Sequence, residues 1–321
     1  MKKKVIFIAF SDIQIEDWKQ YSKDHSRLYD NEKILKKIYE KAEKYKCPVL
    51  FGGDLFDNPY GLSNRVLNEM AKWFKKFKRP IYAISGNHDQ QEKNTLTNKS
   101  PTYMDFMSIA FDNFVNLDNG YHLFAKNETI VAGIPYYASS KDLIEAIKTM
   151  NKKLKRRPER KILLLHTHLP GAKEPSGLQL ESDLPSTIYR HLKGYDLVLS
   201  GHIHKPQKIF KNTLNMGATH NQRTSDEGCK MGFWLIYDDL TYKFIDAKAP
   251  MFKYIEEDEE PEDDYNFYIR VSKEEEYEET EEVSVNFKPN SKPETLAKEY
   301  LKAKNIKSKA KLKTLKKYLK L

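Results

Sequence analysis

Cysteine is scarce: Cys47 and Cys229 are the only two among 321 residues. Two thiols without a C-x-x-C spacing build neither a disulfide framework nor a cysteine metal site, so a reducing, cytoplasmic compartment is expected. Long apolar runs are missing as well. No stretch approaches the roughly 18 residues of a membrane span. The six-residue run after "MKKK" is too short for a secretory signal, and no small-residue cleavage site follows it. There is no internal repeat and no phosphate-cradling G-x-x-x-x-G-K-[ST], which excludes an ATPase within this chain. What these absences leave is a soluble protein long enough for one large domain with appendages or two modest ones.

Charge is present but unevenly placed. The formal net charge is +9. Residues 291–321 hold eleven Lys against two Glu, so the tail carries the whole excess and the remainder balances. A basic device confined to one end points to a phosphate or partner contact, set against the plainer reading of a solvated lysine face. In the opposite sense, "EEDEEPEDD" at 256–264 is acidic at eight of nine positions, which suits a solvated linker.

Up to about residue 250 short apolar runs alternate with amphipathic stretches. The runs are "VIFIAF" 5–10, "PVLFGG" 48–53, "PIYAISG" 80–86, "TIVAGIPY" 129–136, "KILLLHTH" 161–168 and "YDLVLSGH" 195–202. Helices are expected near 30–45, 63–77 and 140–155, with Ile34, Ile38 and Ala42 at helical spacing. This is an α/β pattern of strands covered on both faces. Beyond it, "NFYIRVS" 266–272 and "VSVNF" 283–287 alternate as strands of a small unit. Leu296, Tyr300 and Leu301, then Leu312, Leu315 and Leu319, form helical stripes that need a partner surface. The expected division is a domain at 1–250, an acidic linker with a small strand-bearing, cap-like unit at 251–290, and a basic helical tail at 291–321.

Five apolar runs end in polar residues of one chemical kind: Asp12 with Gln14, Asp54 with Asp57, Asn87 with His88 and Asp89, His166 with His168, and His202 with His204. A lone His at a strand end is ordinarily structural, but five coincident ends are not explained that way. Strand ends in an α/β sheet face one crevice, where residues far apart in sequence converge. Carboxylates, amide oxygens and imidazoles together suit Mn²⁺, Fe²⁺ or Zn²⁺ rather than Ca²⁺, in a number sufficient for two ions. In "GHIH" an extended backbone would put both imidazoles on one face, with the glycine allowing close approach. Asp54 is suited to bridge two cations. Asp89 is placed to hold the His88 ring and keep it protonated as an acid. The chemistry expected is in-line displacement at a phosphorus ester by cation-activated water.

The set D-x-Q, G-D-x-x-D, G-N-H-D, H and G-H-x-H resembles the calcineurin-like metallophosphoesterase superfamily over roughly residues 5–237. The resemblance implies a four-layer α/β/β/α sandwich of two mixed sheets flanked by helices. It assigns one metal to Asp12, Gln14, Asp54 and His204 and the other to Asp54, Asn87, His166 and His202, with His88 as catalytic acid. His168 is read as supporting these ligands rather than joining them. Gln14 departs from the usual D-x-H pattern; its amide oxygen is a harder, weaker donor than imidazole, so looser binding and a preference for Mn²⁺ over Zn²⁺ are expected.

"YDLVLSGHIHKPQ", "NMGATHNQRTSDEGCKMGFWLI" and "GIPYY" resemble the SbcD-type nuclease subunits of double-strand-break repair complexes, including phage recombination endonuclease subunits. That resemblance implies a Mn²⁺-dependent DNA exonuclease on duplex ends and endonuclease on single strands, acting as a homodimer in the cytoplasm, or the host cytoplasm if phage-encoded. Residues 291–321 would dock on an SbcC-like coiled-coil ATPase. About forty residues are left for the capping domain of longer members. Lys93, Lys99, Lys205 and Arg223 are candidates for phosphate contacts without base reading. The competing readings are a protein phosphatase or small-molecule phosphodiesterase on the same scaffold, and a binding module whose metal site has decayed at Gln14.

Overall fold

The computed structural model describes residues 3–179 and 181–271. By contacts the chain divides into two compact units, 1–255 with 259–269, and 256–258 with 270–321. The first holds the two large sheets and every candidate site residue described below. The expected strand 283–287 and the expected tail helices lie outside the described residues.

The first apolar run forms β1 (Val5–Phe10), buried at every position. Next come α1 (Ser26–Tyr45), β2 (Val49–Phe51), α2 (Asn64–Phe74), β3 (Ile81–Ala83), α3 (Tyr103–Ala110), β4 (Phe114–Asn116) and β5 (Tyr121–Phe124). The middle of the chain contributes β6 (Thr129–Ile134), α4 (Ser140–Leu154), β7 (Arg160–His166), α5 (Tyr189–Leu192) and β8 (Leu197–Gly201). The described chain closes with β9 (Gln207–Phe210), β10 (Thr213–Asn215), β11 (Gly232–Tyr237), β12 (Tyr242–Asp246), β13 (Phe252–Glu256) and β14 (Phe267–Val271).

Two six-stranded sheets result, ordered β12-β11-β1-β2-β3-β4 and β5-β6-β7-β8-β10-β9, with β13 and β14 as a separate pair. Both are mixed. In the first, β1 to β4 run parallel, while β11 is antiparallel to both of its neighbours, β1 and β12. In the second, β6, β7, β8 and β10 are parallel between two antiparallel edges. Parallel neighbours need crossovers, which the helices supply except between β8 and β10, where β9 intervenes.

The period of two along each strand sorts side chains between layers. On β7, Ile162 and Leu164 face the other sheet and meet Phe7, Leu50 and Ile84 in a shared inner core. Leu163 and Leu165 face outward onto Leu143, Ile147 and Met150 of α4. Ile34, Ile38 and Ala42 of α1 pack with Met70 and Trp73 of α2 on the outer face of the first sheet. The result is the α/β/β/α sandwich expected for a metallophosphoesterase: two mixed six-stranded sheets flanked by helices. Among the described residues no helix is long and apolar enough to cross a membrane. The acidic run at 256–264 lies at the exposed connection between β13 and β14.

Candidate metal centre

Four of the polar residues that end the apolar runs sit on turns the backbone adopts with difficulty. Asp12, Gln14, Asp54 and His202 have φ of 50°, 43°, 59° and 89°. Left-handed geometry costs a non-glycine residue about 1–2 kcal/mol, and it persists only where surroundings enforce it. Here the loops after β1 and β2 enforce it on each other. Asp12 N–H donates to the Gly53 carbonyl at 2.9 Å and Gln14 N–H to the Asp54 carbonyl at 3.0 Å. The Asp12 carboxylate accepts the His202 N–H at 3.1 Å, which ties in the turn after β8.

The side chains converge. Donor atoms of Asp12, Asp54 and His166 lie within 4.8 Å of one another, all three buried. The Asn87 side-chain oxygen is 3.2 Å from His166 Nε2 and 2.8 Å from His202 Nδ1. Gln14 Nε2 donates to Asp54 Oδ2 at 3.4 Å, and Gln14 Oε1 is buried with no partner. A buried acceptor without a donor costs about 1–3 kcal/mol, and a cation beside Asp12 and Asp54 would satisfy it. The donor set therefore fits a divalent metal. Glycines clear the space: a Cβ on Gly86 would stand 2.1 Å from Asp54 Oδ1, and one on Gly201 2.9 Å from Asp12 Oδ2.

Burial and mutual charge split the titrations. Burial disfavours a charged His166, but the Asp54 and Asp12 carboxylates outweigh it and hold the imidazole up at about 9. Asp54 moves the other way: burial would raise it, yet His166 and His88 keep it ionised and below the usual carboxylate range. His202, whose ring centroid is 5.3 Å from that of His166, is pushed down to about 3, by burial first and by His166 next. Asp12 is raised, mainly by burial. In effect the proton on His166 offsets part of the negative charge of the donors, a role a metal ion would take over.

His88 lies at the rim. Its N–H donates to Asp54 Oδ1 at 2.8 Å, while its Nδ1 contacts the Asp57 carbonyl and stands 3.8 Å from that residue's carboxylate. The contact expected between Asp89 and the His88 ring is not made. Asp89 instead accepts the backbone N–H groups of Asp54, Gly86 and Leu55 at 2.8, 2.8 and 3.0 Å. It staples two loops, because its short side chain points back beneath them. Burial and the neighbouring Asp54 push its carboxyl up to about 7. Asp57 occupies the place beside the ring that Asp89 was expected to fill; the spacing G-D-x-x-D is the only local sign of it.

The extended backbone expected over 202–204 is also absent. β8 stops at Gly201, and the left-handed turn at His202 aims its ring at Asn87, whereas His204 Nδ1 faces Asp226 Oδ2 at 3.3 Å. Asp226, 22 positions downstream, carries no local signal beyond its place in "SDEGC". His168 is half-buried and lines a cavity of about 130 Å³ with His202, Tyr136, Glu181 and Asp183.

The basic candidates separate. Lys93 donates to the Asn87 carbonyl at 2.7 Å and lines a cleft of about 560 Å³ with His88, Asp57, Glu16 and Tyr60. Lys99 pairs with Asp105 at 3.7 Å and lines a different cavity. Lys205 is half-buried beside His204, and Arg223 is exposed three residues from Asp226.

The model of the family described as calcineurin-like phosphoesterase matches residues 6–206. No curated protein matches the chain.

Proposed function

The chain belongs to the calcineurin-like phosphoesterase family, and from that premise we propose that it is the Mn²⁺-dependent nuclease subunit of an SbcCD-like DNA repair or recombination complex. Metal-dependent phosphoester hydrolysis is what family membership implies. The observation that carries the chemistry is the convergence of the buried Asp12, Asp54 and His166, beside which Gln14 donates to Asp54 and keeps a buried, unpaired oxygen. Asp12, Gln14, Asp54 and His204 would hold one cation, and Asp54, Asn87, His166 and His202 the other. Bound divalent cations supply Lewis acidity toward phosphoryl oxygens and lower the pKa of water. His88 directs Nδ1 at the Asp57 carbonyl, with that residue's carboxylate 3.8 Å away, and in its doubly protonated form would pass the Nε2 proton to the leaving oxygen.

The nuclease assignment within the family draws support from the stretches around "GHIHKPQ" and "NMGATHNQRTSDEG" and from the cleft of about 560 Å³ beside His88. Lys93 sits in that cleft and would position a backbone phosphate. Lys205 and Arg223 would do so beside His204, and Lys99 further out. The complex would be a cytoplasmic homodimer whose residues 291–321 dock on an SbcC-like coiled-coil ATPase.

The deciding experiment incubates the full chain with Mn²⁺ and, in parallel, end-labelled duplex, single-stranded DNA, a phosphopeptide and a cyclic nucleotide. Cleavage of DNA well above the other two supports the nuclease. Turnover confined to the phosphopeptide or cyclic nucleotide moves the protein to the phosphatase or small-molecule phosphodiesterase reading. No turnover of any substrate with less than one bound Mn²⁺ would mark a decayed site.

A further inference from the structure

His204 is 7 % exposed and Asp226, whose Oδ2 lies 3.3 Å from His204 Nδ1, is 1 % exposed. The same oxygen accepts the backbone N–H of Gln222 at 2.8 Å and of Arg223 at 3.1 Å. The loop fixes the carboxylate independently of the ring. Asp226 also lies beyond residues 6–206, the span that the family model matches. An ionised carboxylate only accepts, so the imidazole must donate through Nδ1, which leaves Nε2 as the nitrogen available to a cation. The comparison with His166 is instructive. Its Nδ1 faces a neutral carbonyl, that of Gly52, at 2.7 Å. The imidazole placed with the weak amide donor Gln14 is the one backed by a full negative charge.

We propose that Asp226 is a positioning residue that holds His204 in the Nδ1–H tautomer and strengthens Nε2 as a donor to a divalent cation, offsetting Gln14 in the same site. The proposal rests on the reading of His204 as a metal holder. Asp226 itself touches neither substrate nor ion.

Three variants of the full chain separate the possibilities: Asp226→Asn, Asp226→Ala and His204→Ala. Mn²⁺ affinity is measured by calorimetry, and the imidazole tautomer of the metal-free protein by long-range ¹H–¹⁵N correlation. Asp226→Asn keeps an acceptor oxygen for Gln222, Arg223 and the ring while removing the charge. It is expected to retain the wild-type melting temperature and tautomer yet bind Mn²⁺ about 10-fold more weakly. Asp226→Ala is expected to mix the two tautomers and lose about 100-fold. Wild-type affinity in Asp226→Asn overturns the proposal even if Asp226→Ala does not fold, because a purely structural role would leave that variant intact. An unchanged tautomer in a folded Asp226→Ala overturns it as well. If His204→Ala leaves Mn²⁺ affinity unaltered, it is the reading of His204 as a metal holder that fails; if His204→Ala weakens binding and Asp226→Asn does not, only the role of Asp226 falls.

Discussion

Asp54 shows how much one side chain is asked to do. Its Oδ1 accepts the His88 N–H at 2.8 Å, and its Oδ2 lies 3.4 Å from both His166 Nε2 and Gln14 Nε2. The charge on His166 follows from this crowding, and so does a pH dependence. His166 is held near 9, against 6.5 unperturbed. Its contribution to the stability of the metal-free protein is therefore complete below about pH 6.5 and lost as the pH rises through 9. Metal affinity has the opposite sign, since the ring must give up that proton to ligate. Calorimetric Mn²⁺ affinity is expected to rise between pH 7 and 9 with release of a proton, and a flat profile would remove His166 from the ligand set. At position 14, Gln14→His is expected to tighten Mn²⁺ binding without altering the circular dichroism spectrum; superimposable titrations of the two proteins would remove Gln14 from the site. His88→Ala is expected to slow DNA cleavage by about 10²–10⁴-fold while Mn²⁺ binding is retained. Wild-type turnover in that variant would take His88 out of the mechanism.

Among the elements, those legible in the sequence are the ones buried on both faces. "VIFIAF" is β1 to the residue, and the runs at 48–53, 129–136, 161–168 and 195–202 each contain a strand. β4, β5 and β12 gave no such signal. They are sheet-edge strands of three to five residues, with at most one face covered and too few positions to display a period. β11 is apolar enough, but its place beside β1 depends on a pairing across more than 200 residues. Helix α1 starts at Ser26, four residues before the expected limit, because Arg27 is buried there. The Arg27 guanidinium lies 4.2 Å over Trp18, 5.3 Å from Phe267 and 5.5 Å from Phe252, and donates to the carbonyls of Asn221 and Gln222 at 3.2 and 3.1 Å. Gln222 in turn donates to the Asp12 carbonyl. Arg27→Leu leaves two buried carbonyls unpaired and removes the ring contacts. It is expected to cost about 2–4 kcal/mol in urea denaturation and to weaken Mn²⁺ binding through Gln222 and Asp12; an unchanged midpoint would show that the aromatic cluster holds without its cation.

For the molecule as a whole, the two sheets act as one frame because their inner faces share a core, and the turns at one end of the strands carry the candidate ligands. The basic stretch 291–321 belongs to this scale too. Its deletion is expected to spare Mn²⁺-dependent cleavage of short oligonucleotides and to abolish co-purification with a coiled-coil ATPase; unimpaired complex formation would place the docking surface elsewhere. The sequence by itself determined the α/β class, the strand-ending residues and a donor set suited to divalent cations, because burial pattern and side-chain chemistry are local properties. Only the tertiary structure decided that Asp89 braces backbone while Asp57 faces His88, that His202 and His204 part company at a left-handed turn, and that Asp226 stands behind His204. Those outcomes depend on which loops lie against each other, and contact between loops distant in sequence leaves no trace in the spacing of either one.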